Sequence, residues 1–236
     1  MSGSPSMIVE LFVGTLTRYY STDWQDGRTR AGLPSPFGHK VTPHAVTDPV
    51  ELQGAIAEWR KTASLKLKDH LKEPLNWQEG MLPPYFVGEL GLAGYGGAIL
   101  LTAYTNYAHL QRPVMFMPTW EGDPAVEASM KAEKKDALWE VINCGIWLPD
   151  EFSFGIGLKD PSGTPLKAGS IELLWKALQY LNEVNWGAAA DDIATWRTRD
   201  LGEGESFESQ AQFGFAVFHE SCRLARENRL PMKLHY

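Results

Sequence analysis

The chain has 236 residues, of which 44% are hydrophobic and 22% charged, and its 22 Lys and Arg against 29 Asp and Glu give a net charge of −7. This composition is typical of a globular protein and excludes a disordered or collagen-like chain. An acidic chain without a long basic run is also a poor binder of nucleic acid, because phosphate backbones are held by clustered Lys and Arg. The two cysteines are too few for a disulfide framework, and a reducing cytoplasmic location is therefore expected.

No targeting signal is expected at the start of the chain. Residues 1–6 are small and polar and are expected to be disordered, while residues 7–236 are expected to form a single domain. The N-terminus lacks the basic region of a signal peptide, and no apolar run approaches the roughly 20 residues that span a bilayer. We therefore expect a soluble protein that does not bind a membrane.

The first half of the chain predicts one strand and three helices. Residues 7–14 are β-branched and aromatic enough for a buried strand, and the Gly- and Pro-rich residues 19–47 predict a long loop. Asp48 and Pro49 are suited to start a helix, whose apolar positions recur every three to four residues as far as Leu71. A second irregular stretch, 73–91, precedes an apolar helix over 98–108. The third helix is expected to run from Asp123 to Asn143.

The second half predicts strands followed by helices. Alternating apolar residues over 152–159, a turn and residues 164–168 indicate a hairpin. A helix capped by Ser170 follows, then a last helix over 207–228 and a final strand over 230–236. Because helices and strands are segregated, the sequence favours an α+β fold, with a mainly antiparallel sheet packed by about five helices. The first and last strands are expected to pair.

Cys144 and His219 are the candidate catalytic residues. Cys144 lies where a helix should give way to a strand, and a thiol there needs only a base and an oxyanion donor to act as a nucleophile. His219 precedes Cys222 on the last predicted helix, but zinc needs three or four ligands, and Arg223 holds the position that an HExxH motif gives to its second histidine. A purely structural role is favoured for both cysteines.

The chain shows no motif that predicts a metal or a cofactor. His39, His44 and Asp48 share the long first loop, but a flexible loop rarely holds a metal unaided. The glycine-rich residues 88–97 lack both the strand that precedes a dinucleotide fingerprint and the Gly-Lys-Ser/Thr of a phosphate loop. No metal and no cofactor are expected.

Nine tryptophans, well above usual abundance, are the most unusual feature of the composition. Several lie in predicted loops beside acidic residues, and exposed aromatic rings flanked by acids suit the recognition of a partner. The expected partner-binding residues are Trp24, Asp26, Trp77, Tyr85, Trp120 and Glu121. Tryptophans folded back over the core are the competing interpretation.

Three functions are compatible with these features. The leading hypothesis is a non-enzymatic protein-binding module, such as an inhibitor or a toxin-neutralising immunity protein, whose acidic loops attract a basic protein partner. The alternative is a hydrolase or transferase with Cys144 or His219 in a pocket under the loop from Gly88 to Tyr95. A third hypothesis is carbohydrate binding through Trp24, Trp77 and Trp120. The sequence does not predict the oligomeric state.

Overall fold

The computed structural model describes residues 9–25, 48–115, 120–132, 137–153, 155–202 and 204–236. They are organised around one six-stranded sheet. The strands are β1 (Glu10–Val13), β2 (Phe86–Glu89), β3 (Ile146–Leu148), β4 (Ile156–Lys159), β5 (Pro165–Ser170) and β6 (Met232–His235). The helices are α1 (Leu16–Ser21), α2 (Pro49–Leu67), α3 (Gly91–Asn106), α4 (Pro124–Lys131), α5 (Ala137–Ile142), α6 (Ile171–Asn185), α7 (Ala190–Arg197) and α8 (Phe207–Asn228).

The predicted α+β class is confirmed, but the sheet is mixed rather than mainly antiparallel. Its order is β2-β1-β6-β3-β5-β4, and the expected antiparallel pairing of the first and last strands is present as β1 with β6. The chain passes from β3 to the edge strand β4 and returns as β5, so β5 lies between them and runs parallel to β3. The predicted hairpin is β4 with β5, and in its turn Gly163 donates to the Asp160 carbonyl at 2.8 Å.

Each face of the sheet is covered by its own set of helices. On one face, Leu11 and Val13 share an apolar cluster with residues of α3, α6 and α8. On the other face, Ile146 and Leu148 share a second cluster with residues of α1 and α2. The alternation of side chains along each strand therefore divides the core into two layers.

Helices α3 and α8 pack closely because glycines line their contact. A Cβ atom added at Gly214 would lie 1.9 Å from the carbonyl oxygen of Gly94, and one added at Gly97 would lie 2.6 Å from that of Gln210. Gly91, Gly94, Gly96 and Gly97, at and just after the end of the expected irregular stretch, therefore belong to α3, while Gly88 belongs to β2. Gly94 and Gly97 bring the two helix backbones together.

Several short elements were not predicted. Helix α1 lies inside the expected loop 19–47 and just before it, β2 lies inside the expected irregular stretch 73–91, and α4 and α5 replace one expected helix. Helix α7 was also missed, so the helices outnumber the five expected. The predictions for residues 1–6 and for most of the long loop, including His39 and His44, lie outside the described residues. Within the described residues, no helix is long and apolar enough to cross a membrane.

Candidate functional site

The tryptophans expected on the surface are buried. Trp24, Trp77 and Trp120 are 6%, 5% and 7% exposed, which fits the competing interpretation that these indole rings fold back over the core. Trp24 packs on Phe12 with ring centroids 4.9 Å apart, and its indole nitrogen donates to the Tyr19 carbonyl at 3.1 Å. A tryptophan in a connecting segment is a stable part of a core when its large ring is buried and its indole N–H has a hydrogen-bond partner.

The same burial removes the basis of the carbohydrate hypothesis. Trp77 belongs to the apolar cluster that contains α1 and α2, whereas Trp120 belongs to the cluster on the other face of the sheet. Sugar binding through Trp24, Trp77 and Trp120 together would need their rings on one open surface. We do not retain this hypothesis.

The remaining predicted contact residues are more exposed. Tyr85 is 40% exposed and its ring lies 4.7 Å from the guanidinium carbon of Arg18. Glu121 is exposed beside the buried Trp120. Asp26 lies outside the part of the chain that the structure describes.

Cys144 lines a pocket of about 290 Å³ at the edge of the sheet. Leu92 and Tyr95 from the first turns of α3, Lys167 of β5 and the C-terminal Tyr236 also line it. The thiol is 2% exposed, and the missing side chain of Gly169 leaves room for its sulfur. The structure thus brings Cys144 together with Tyr95, which ends the segment expected to roof such a pocket.

His219 does not line this pocket. Its ring packs against Trp175 and Phe215, with centroids 4.7 and 5.7 Å away, and Nε2 lies 3.3 Å from the amide nitrogen of Gln179. Burial lowers the pKa of His219, which favours the neutral form of the ring. The two candidate catalytic residues therefore belong to separate environments.

Cys222 is a buried structural cysteine, as its place on the apolar stripe of α8 predicted. It is 0% exposed and its sulfur donates to the Ile171 carbonyl at 3.5 Å. Burial raises the pKa of this thiol, which keeps it protonated. Among the residues that the structure describes, no group of three or more His, Cys, Asp or Glu is placed to hold a metal.

An acidic surface lies where α6 ends, α7 begins and α8 begins. Residues 183–208 contain seven carboxylates and two arginines, a local charge of 2 − 7 = −5. Both arginines are engaged, Arg197 with Glu220 at 3.3 Å and Arg199 with Gln212 at 2.7 Å. The described carboxylates of this stretch are Glu183, Asp191, Asp192, Asp200, Glu205 and Glu208.

An exposed apolar segment is fixed at the start of α8, where Ser206 and Phe207 lie between Glu205 and Glu208. Val114 is 77% and Met115 49% exposed. The segment is held at its ends, since the Val114 carbonyl accepts from the Phe207 amide at 3.1 Å and Arg112 donates to the Asn185 side chain. We call Val114, Met115 and the six carboxylates the acidic surface.

Trp186 packs beneath the acidic surface and is hydrogen-bonded to one of its carboxylates. The indole nitrogen of Trp186 donates to Glu208, and its ring packs on Trp196 and Phe215 with centroids 5.0 and 5.2 Å away. Trp186 was not among the expected contact residues, because its partners Glu208 and Phe215 lie more than 20 residues further along the chain. The high density of acidic residues over 183–208 was the sequence signal from which this surface could have been predicted.

No family model, curated protein or solved structure matches this chain.

A groove of about 650 Å³ follows the C-terminal half of α2. Sequence analysis missed it, because the groove forms only where the chain turns back through Pro74 and Leu75 beside the helix. Four of its lining residues are basic, which is unusual for a chain with a net charge of −7. They are Arg60, Lys61, Lys68 and Lys72.

Proposed function

We propose that this chain is a non-enzymatic protein-binding module whose acidic surface holds a basic protein, in the manner of an inhibitor or an immunity protein. The observation that carries the proposal is the exposed, tethered pair Val114 and Met115 beside a stretch with a charge of −5. Exposed apolar side chains beside a predominantly acidic stretch combine the two requirements of a specific interface, desolvated contact and electrostatic complementarity.

The tether supports this role because it reduces the cost of binding. A contact segment that is already held by the Phe207 amide and by Asn185 loses little conformational freedom when a partner covers it. The carboxylates around it attract a basic partner before contact and so raise the association rate. Burial of Val114 and Met115 then slows dissociation.

Affinity capture from the native lysate tests the proposal. The immobilised full chain is compared with Val114→Ser and with Leu82→Ser, a matched control because Leu82 is 93% exposed in the connection between α2 and β2. We expect a near-stoichiometric basic protein to be retained by the wild type and by Leu82→Ser, and to be reduced several-fold by Val114→Ser. Equal retention by all three proteins would place the interface elsewhere.

A hydrolase or transferase that uses Cys144 is the second candidate. It is favoured by one observation, that Cys144 and Tyr95 line the same pocket. Burial raises the pKa of the Tyr95 hydroxyl, which suits it to donate a hydrogen bond rather than to act as a base. His219 has no part in this version of the hypothesis, since it lies outside the pocket.

Thiol labelling of the native protein distinguishes this candidate. Cys222 is an internal control, because it is fully buried with a raised pKa. A reactive Cys144 would be alkylated by small chloroacetamides at neutral pH while Cys222 is spared, as peptide mapping by mass spectrometry would show. Labelling of neither cysteine until the protein unfolds would remove the catalytic role of Cys144.

A further inference from the structure

The groove along α2 lies on the opposite side of the sheet from the acidic surface. Helix α2 packs with α1 on one face, while α6 and α8 pack on the other. Apolar residues line part of the groove, among them Ala57, Leu71 and Leu75, and Leu65 beside them is 70% exposed. A single exposed leucine needs no explanation, but one that borders a concavity of about 650 Å³ offers a contact for a side chain from outside.

The basic side chains of the groove differ in how strongly neighbouring residues hold them. Arg60 is anchored, because it donates to the Trp77 carbonyl at 2.7 Å and lies 5.1 Å from the centre of the Trp77 ring. Lys61 pairs with Glu58 at 2.5 Å. Lys68 and Lys72 are exposed just beyond the end of α2, and Glu73 is the one acidic residue among the lining residues. The lining residues of the groove therefore include four basic side chains and one acidic side chain.

We propose that this groove, defined by the lining residues from Ala57 to Leu75, docks an acidic segment of a protein partner that carries an aliphatic or aromatic side chain. Charge complementarity selects carboxylates for Lys68 and Lys72, and the apolar lining selects a side chain that can be buried beside Leu65. A nucleic acid would use the lysines equally well but would leave the apolar lining uncovered. The proposal goes beyond the acidic surface, because it uses another face of the molecule and the opposite charge.

Fluorescence anisotropy of the full chain with a defined probe tests the groove. The probe is a short labelled peptide that alternates Glu and Asp with Leu, measured at physiological ionic strength, where exposed charges beyond about 8 Å are screened. The variants are Lys68→Glu and Leu65→Ser. Their matched controls are Lys66→Glu, an exposed α2 lysine outside the groove, and Leu82→Ser. All four changes are at exposed side chains and leave the core intact.

We expect Lys68→Glu to weaken binding of the peptide about tenfold and Leu65→Ser about fivefold, with less than about a twofold change in either control. The Asp191→Lys variant of the acidic surface should bind the peptide as the wild type does. This result would separate the groove from the proposed function of the acidic surface.

Four outcomes would overturn the proposal. They are a wild type that does not bind the peptide, an equal loss in Lys66→Glu and Lys68→Glu, equal binding of a peptide with Gly in place of Leu, and equal binding of oligothymidylate. Sedimentation of the protein alone tests whether a second copy of the chain occupies the groove. Self-association that Lys68→Glu abolishes would assign the groove to that second copy instead of a partner.

Discussion

At the scale of single residues, Gly214 is the most constrained position in the contact between α3 and α8. Gly214→Ala should lower the free energy of unfolding by about 1–3 kcal/mol or more, because the added Cβ lies 1.9 Å from the Gly94 carbonyl oxygen and the helices must separate. Urea unfolding measures this change. Gly54→Ala on α2 is the control: a Cβ there meets nothing within 4 Å, and alanine should stabilise the helix by up to about 1 kcal/mol.

If Gly214→Ala were as stable as the wild type, the close packing of α3 on α8 would be incorrect. The position of the apolar cluster that α3 and α8 share with β1 would then need revision.

His235 makes stability depend on pH in a defined window. Burial and the nearby Lys233 lower the pKa of its ring from 6.5 to about 4. The ring is held by its neighbours, with Nδ1 3.0 Å from the Tyr19 hydroxyl oxygen and Nε2 3.2 Å from the amide nitrogen of Gln25. The folded state binds this proton less readily than the unfolded state. The contribution of the neutral ring to the free energy of unfolding is therefore fully present above pH 6.5 and is lost as the pH falls toward 4.

His235→Gln should make the free energy of unfolding depend less on pH between pH 7 and pH 4.5. Glutamine keeps hydrogen-bonding groups but does not titrate, so between pH 7 and pH 4.5 the wild type should lose about 2.5 kcal/mol more than the variant. Urea unfolding at a series of pH values measures the difference, and His70→Gln at an exposed position serves as control. Parallel profiles for the wild type and His235→Gln would contradict the assignment.

At the scale of elements, one buried carboxylate joins three parts of the fold. Asp160 Oδ2 accepts from the Tyr20 hydroxyl of α1 at 2.6 Å and lies 3.4 Å from Nζ of Lys233 in β6. Asp160 Oδ1 accepts from the amides of Ser162 and Thr164 in the β4–β5 turn. Burial alone would raise the pKa of Asp160, but Lys233 and these hydrogen bonds together hold it below its usual value.

A double-mutant cycle tests this junction. Asp160→Ala should cost about 3–5 kcal/mol, because it leaves Lys233 buried without its partner, and Lys233→Met should cost less. The coupling between the two changes should reach about 1–3 kcal/mol in urea unfolding. The exposed pair Glu151 and Lys176, 2.7 Å apart, is the matched comparison and should couple by at most about 1 kcal/mol. Equal coupling in both pairs would mean that Asp160 does not join the elements.

The elements that sequence could predict are those with local signals. The cap Asp48, which accepts from the Val50 amide at 2.8 Å, and the apolar stripe that follows it gave α2 correctly. Helix α1 escaped detection because its first amides are bound by Glu79, with Leu16 N and Thr17 N at 3.2 and 3.0 Å from its carboxylate. Glu79 lies more than 60 residues along the chain, and the local signal was missed: Thr15 is the N-cap of α1, and its Oγ1 accepts from the Arg18 amide at 3.1 Å.

The candidate sites also differ in whether local sequence signals reveal them. Cys144 and Tyr95 line one pocket, as the alternative hypothesis had proposed for Cys144 and the segment ending at Tyr95, and a catalytic role for them stays a prediction. The acidic surface and the α2 groove depend on contacts between distant segments, as with the Val114 carbonyl and the Phe207 amide. The exposure of a tryptophan such as Trp24 is likewise set by its tertiary neighbours.

At the scale of the whole molecule, charge and exposed apolar side chains are distributed unevenly. The −5 of residues 183–208 accounts for most of the net charge of −7, while a groove with four basic residues lies on the α2 side of the sheet. Such an asymmetric field orients an approaching charged partner as well as attracting it. A basic protein should therefore meet the acidic surface first.

The association rate of the captured basic protein, followed against ionic strength, tests the central claim most directly. For the wild type, the rate should fall about tenfold or more between low salt and several hundred millimolar salt. Asp191→Lys on the acidic surface should slow association at low salt, whereas Asp69→Lys, an exposed charge change on the α2 side, should have little effect. A rate that ignores salt, or that both variants change equally, would contradict a binding function for the acidic surface.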